Sequence, residues 1–232
     1  MPKKQPAGKK ADRLENALAG VIAVSLALII ITSPFLAIMA CKAFYLGQYE
    51  KNNLYSRIEK QDAEEITEDI INGLLDKEKI GSIQTPLITR EEKQHLYDVS
   101  VIAEKLRTAV IFLAIIILLS LSILIKKQLF SEKTIARTIL MSGTISLLLI
   151  ILLAAISMAS FQESFESFHR IFFPQGNYSF PADSLLITLF PQEFFRAASM
   201  YSAATAALLS LLCIAIGVIL FNRTKKKESL YK

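Results

Sequence analysis

Along this chain the apolar residues gather into four long runs that hold no charge: Ala17 to Cys41, Thr108 to Ile125, Thr138 to Phe161 and Ala197 to Asn222. An α-helix rises ~1.5 Å per residue, so about 20 apolar residues cross ~30 Å of hydrocarbon, and each run predicts one membrane-spanning helix. Pro34 within the first is expected to bend it, as membrane helices tolerate. Small residues scattered through the third and fourth runs permit close helix packing. The predicted division is a basic N-terminal segment (1–16), a first span (17–43), an outer loop or cap (44–107), a second span (108–125) and a basic turn (126–137). A third span (138–161), a second outer loop (162–196), a fourth span (197–222) and a basic tail (223–232) complete it. The fold class is therefore an all-α membrane protein with four transmembrane helices and a small extracytoplasmic cap built from two outer loops.

Between the runs the pattern changes. Asp62 to Lys79 sets Ile66, Ile70, Leu74 and Leu75 near one stripe with acids elsewhere, which predicts an amphipathic helix on the protein or membrane surface. Thr89 with Glu92 three residues later reads as a capping box opening a helix that leads into the second span, with Leu96, Val99, Ala103 and Leu106 on its apolar face. Phe161, Phe165, Phe168 and Phe172 follow the third span at helical spacing, so that helix is expected to continue outward or turn along the interface.

Charge orients this scheme. Lys3, Lys4, Lys9, Lys10 and Arg13 precede the first run, Lys126, Lys127, Lys133 and Arg137 fill the second turn, and Arg223, Lys225, Lys226, Lys227 and Lys232 close the chain. Cytoplasmic segments keep an excess of Lys and Arg, so the expectation is a multi-pass membrane protein with both termini inside. The outer loops are acidic on balance. The formal charge of +5 is thus an orientation signal facing anionic lipid, and nucleic acid is not an expected partner. The hydrophobic share of 53%, only 20% charged residues and a mean hydropathy of +0.42 agree with a lipid solvent. The first run exceeds the roughly 7 to 15 apolar residues of a signal-peptide core. Cys41 and Cys213 are expected to be buried as small apolar side chains, without a disulfide or a catalytic thiol.

Chemistry narrows to two side chains. The chain has two histidines, His95 and His169, both assigned to the outer side near helix ends. Imidazole is the side chain best suited to moving protons near neutral pH, so a convergent pair could act as base and acid of one reaction, in a polar pocket at the outer interface. Asp98 shares a helix face region with His95, either as an orienting partner or as a solvated charge. A packed surface role for each histidine is the competing reading. No HExxH, GxSxG, P-loop or paired CxxC occurs. A zinc site from Glu91, His95, Asp98 and His169 is conceivable by residue type alone; no metal and no cofactor is expected.

At these loops the sequence resembles a family of small bacterial membrane proteins, the lipoprotein intramolecular transacylases. The resemblance rests on REEKQHLYDVS (Arg90 to Ser100), FHRIFF (Phe168 to Phe173) and YSFPADSLLITLFPQEFF (Tyr178 to Phe195). Glu92 stands where the family usually has Ile, Ser100 where it has Lys, and Tyr178 where Trp is common. The resemblance implies an O-to-N acyl transfer on diacylglyceryl lipoproteins, the sn-2 chain moving to the amine of the N-terminal cysteine to leave a lyso-form. It implies His95 and His169 as the catalytic pair on the extracytoplasmic side, with Arg90, Asp98, Tyr178 and Asp183 as candidates for support or substrate positioning. The alternative from another class is a non-catalytic four-helix envelope sensor or accessory protein.

Overall fold

The structure, a computed structural model, describes residues 7–230; Lys3, Lys4 and Lys232 of the basic termini lie outside the described residues. Among these residues all regular structure is helical: α1 (Ala7–Met39), α2 (Lys42–Lys51), α3 (Lys60–Leu75), α4 (Arg90–Lys126), α5 (Glu132–Ala159), α6 (Phe161–Phe172), α7 (Leu185–Leu189) and α8 (Gln192–Leu230), with short 3-10 turns at Leu54–Ser56 and Lys77–Ser82. Four of them, α1, α4, α5 and α8, are long and apolar enough to cross a membrane, as the four uncharged runs require. The described residues divide into two compact units, 7–33, 109–153 and 203–230 in one, 34–108 and 154–202 in the other.

The first unit is built for lipid. Large apolar side chains such as Phe112, Leu118, Leu148, Ile151 and Leu208 point outward, while Ala23, Ala27, Ser142, Ser146 and Ser210 are buried. In hydrocarbon no hydrophobic drive holds helices together, so packing falls to close backbone approach and interhelical hydrogen bonds. Both join α5 to α8. The Ser146 and Ser210 hydroxyls share a buried 2.7 Å hydrogen bond. A Cβ built on Gly143 would stand 2.6 Å from the Ser210 carbonyl oxygen, and one on Gly217 would stand 2.7 Å from the Leu140 nitrogen. Polar links close the same unit: the Thr134 hydroxyl donates to the Glu15 carboxylate, and Lys227 Nζ meets Glu132 Oε1 at 2.7 Å.

The second unit has an ordinary apolar core, in which Tyr45, Tyr49, Ile66, Ile70, Leu74, Ile83, Leu185, Leu189 and Phe194 are buried together. The amphipathic α3 supplies Ile66, Ile70 and Leu74, while Leu75, expected in the same stripe, is 48% exposed because it ends the helix. Arg107 on α4 satisfies the carbonyls left open there, its Nη1 and Nη2 donating to Leu74 O and Leu75 O, each at 3.0 Å. The capping box of α4 forms: Glu92 N–H donates to Thr89 Oγ1 at 3.2 Å and Thr89 N–H to Glu92 Oε2 at 2.8 Å.

One local expectation is corrected and one of two alternatives is removed. Cys41 is exposed, because α1 stops at Met39 and Cys41 lies in the break before α2; Cys213 is partly buried, and both thiols are free. The helix of the third span does not run on through the phenylalanines. It breaks at Ser160, whose extended backbone and hydroxyl, accepting from Glu163 N–H at 3.2 Å, start α6 as a separate helix.

Candidate active site

His95 sits in the polar first turns of α4, well before the uncharged stretch that begins at Thr108, and His169 near the end of α6. Their ring centroids lie 6.2 Å apart with planes 23° from parallel. The expected polar pocket is instead an aromatic cage. Phe173, 2% exposed, packs on both imidazoles, with centroids 4.8 Å from His95 and 5.6 Å from His169. Phe165 and Tyr178 flank His169 at 4.3 and 5.1 Å, and Phe180 flanks His95 at 5.6 Å. Phe165, four residues before His169 on α6, is set against it by helical spacing. Phe173 and Phe180 reach the pair because the chain turns back after α6, which no periodicity announces.

The cage decides the protonation of both rings. Burial pushes the His95 imidazole down to about 4; neighbouring His169 adds to the shift and Asp98 opposes it. Burial also lowers His169, against the opposing effect of its hydrogen bond to the Phe165 carbonyl. Both are therefore neutral at pH 7, and a neutral imidazole carries one N–H and one lone pair. His169 Nδ1 lies 2.7 Å from Phe165 O, an acceptor, so Nδ1 bears the proton and Nε2 is the bare base. His95 Nδ1 is buried without a hydrogen-bond partner. A buried N–H without an acceptor is the rarer and costlier arrangement, so the His95 proton belongs on Nε2. One ring presents a lone pair and the other an N–H.

The remaining candidates distribute unevenly. Tyr178 is in the cage. Asp98 makes no hydrogen bond to His95; its carboxylate accepts from the side-chain amides of Gln94, Gln175 and Asn177. Arg90 and Asp183 are exposed. Glu92, 0% exposed, extends its capping role by accepting Leu186 N–H on Oε1 at 2.8 Å, which ties the first turn of α7 to that of α4. Gln175, Asn177 and Phe173 escaped the sequence reading, although Phe173 closes the FHRIFF motif. Among the described residues no three His, Cys, Asp or Glu side chains come together as a ligand set.

Residues 20–195 match the family described as lipoprotein intramolecular transacylase Lit. The chain belongs to that family. Its fold is also similar to the in meso structure of the membrane integral Lit from Bacillus cereus, with a TM-score of 0.81 at 20% identity over 93% of this chain and 99% of that one. Two structures of the same Bacillus cereus protein, with one histidine replaced by arginine or by alanine, each give a TM-score of 0.76 at 20% identity over 93% of this chain, covering 96% and 97% of theirs. No curated protein matches the sequence. Lit membership together with the four apolar helices makes this chain a multi-pass membrane protein of the acyltransferase class.

Proposed function

We propose that this chain moves the sn-2 acyl chain of a diacylglyceryl lipoprotein onto the α-amine of its N-terminal cysteine. The observation that carries the reading is the pair of neutral imidazoles, 6.2 Å apart, with complementary proton positions. The amine attacks the ester carbonyl carbon as His169 Nε2 takes a proton from nitrogen, and an amide bond forms. His95 Nε2–H hydrogen-bonds to the carbonyl oxygen as charge develops there, and the His169 imidazolium returns its proton to the sn-2 oxygen as the ester C–O bond breaks. One proton leaves nitrogen and one reaches oxygen, and both rings end as they began. No acyl-enzyme is needed, since nucleophile and ester are parts of one molecule and holding them in contact removes most of the entropic barrier. We place the pair on the extracytoplasmic side of a bacterial cell membrane, both termini inside, on the strength of the basic segments.

Mass spectrometry of the tryptic N-terminal lipopeptide of a model lipoprotein tests this, because it separates an N-acyl group with a free sn-2 hydroxyl from the diacylglyceryl form. His95→Ala and His169→Ala are each expected to lose ~10²- to 10⁴-fold in rate, while Cys41→Ala and Cys213→Ala keep it. Product formed at the normal rate with both histidines replaced, in protein shown to be in the membrane, overturns the assignment.

A further inference from the structure

Asp98 lies three residues beyond His95 on α4, yet its carboxylate is occupied elsewhere. Gln94 Nε2 donates to Oδ1 at 3.2 Å, while Gln175 Nε2 and Asn177 Nδ2 donate to Oδ2 at 2.9 and 2.5 Å. The Asn177 amide is oriented by this contact, for its Oδ1 is buried without a partner and would face the carboxylate if the group were turned over. Gly176, between the two donors, has φ +79, a left-handed turn that glycine adopts without strain. Its N–H donates to Phe173 O at 3.0 Å. The segment thus held begins at Phe173 and ends at Tyr178, whose rings lie 5.6 and 5.1 Å from His169.

We infer that Asp98 is a positioning residue for the acyl transfer: through Gln175 and Asn177 it clamps the turn that carries Phe173 and Tyr178, and so holds the two imidazoles in register. It does not act as the carboxylate partner of His95. An ionised acceptor makes each amide bond about twice as strong as a neutral one, which suits a short turn with few other anchors. A misplacement of ~1 Å in a reacting group can cost ~10²-fold, so a loosened cage is felt in turnover rather than in substrate binding. The activity arm of this inference rests on the proposed reaction; the clamp itself does not.

The test exchanges donor and acceptor. N177D sets two carboxylates face to face and is expected to lower kcat about tenfold with little change in KM. D98N combined with N177D recreates the contact with the charge on the other side, and is expected to regain most of the lost kcat. Because the chain contains no tryptophan, Y178W provides a single emitter in the cage, whose accessibility to acrylamide reads the clamp without substrate. N177D is expected to raise that accessibility and the exchange to lower it again. An exchanged pair as impaired and as accessible as N177D alone overturns the clamp. So does a restored cage with kcat still lost and its acid limb displaced, which would make Asp98 a charge partner of His95. Rescue of shielding in a chain that makes no N-acyl product would refute the reaction while upholding the clamp.

Discussion

An unperturbed imidazole titrates near pH 6.5 and the α-amine of a peptide near 7.7 to 8.0, so a reaction needing both unprotonated loses two protons' worth of rate below about pH 6.5. In this cage His95 is lowered to about 4 and His169 is lowered as well, both chiefly by burial. The sign is that of a group whose neutral form the fold prefers, and the base survives into more acid solution than free imidazole would. For the proposed transfer the plot of log kcat/KM against pH should therefore fall with unit slope below about pH 8, as the attacking amine gains its proton. The slope should steepen only at a pH below the ordinary imidazole value. A profile that already steepens at or above about pH 6.5 would mean that the histidines titrate unshifted and that the cage is open to water. The two imidazoles and their helical aromatic neighbours were legible as residue types at a given spacing. The hydrogen bond that sets the His169 tautomer was not legible, since spacing does not say that the ring turns back onto the Phe165 carbonyl. Nor was the commitment of Asp98 to amides from a distant turn, since a spacing of three on one helix speaks only to neighbours on that helix.

Helices α1, α4, α5 and α8 could be read from uncharged length alone, because hydrocarbon leaves a helix no alternative. The break at Ser160 was harder: the phenylalanines keep helical register across it, and only the Ser160 to Glu163 spacing carries a start signal. The α5 to α8 contact was visible in outline as small residues in two runs, but which of them meet depends on helix rotation. The structure selects Gly143 and Gly217. A methyl group on Gly143 would stand 2.6 Å from Ser210 O and 2.9 Å from both Cys213 Cβ and Ile214 N, and the obstacles include backbone atoms, which yield only if the helices separate. Gly143→Ala should thus lower the unfolding midpoint in detergent by an amount corresponding to ~1–3 kcal/mol of overpacking, outweighing the ~0.5–1 kcal/mol of helix propensity gained. Gly20→Ala in α1, where nothing lies within 4 Å of the added Cβ, keeps only the propensity gain and serves as control. Equal midpoints for the two variants would show that α5 and α8 do not approach at Gly143.

For the whole molecule the open quantity is orientation across the membrane, which no intramolecular contact determines. The described basic residues Lys9, Lys10 and Arg13, Lys126, Lys127, Lys133 and Arg137, and Arg223, Lys225, Lys226 and Lys227 belong to three segments separated by even numbers of spans. With four crossings they share a side, and the proposed topology assigns that side to the cytoplasm on the excess of Lys and Arg. In that proposed topology residues 44–107 and 162–196, with both histidines, face outward, which suits the proposed exported lipoprotein substrate. Cysteine labelling in intact cells resolves this. The background must carry Cys41→Ala and Cys213→Ala, since Cys41 is exposed and would itself react. In that background Lys60→Cys, on the solvent side of α3, should react with a membrane-impermeant maleimide added outside, and Lys127→Cys, exposed after α4, should react only once the membrane is permeabilised. Moving one basic segment outward would cost the bias of several charges at once, so a mixed population is not expected. Labelling of Lys127→Cys from outside, with Lys60→Cys protected, would invert the topology and put the imidazole pair on the side where an exported lipoprotein's amine is not found.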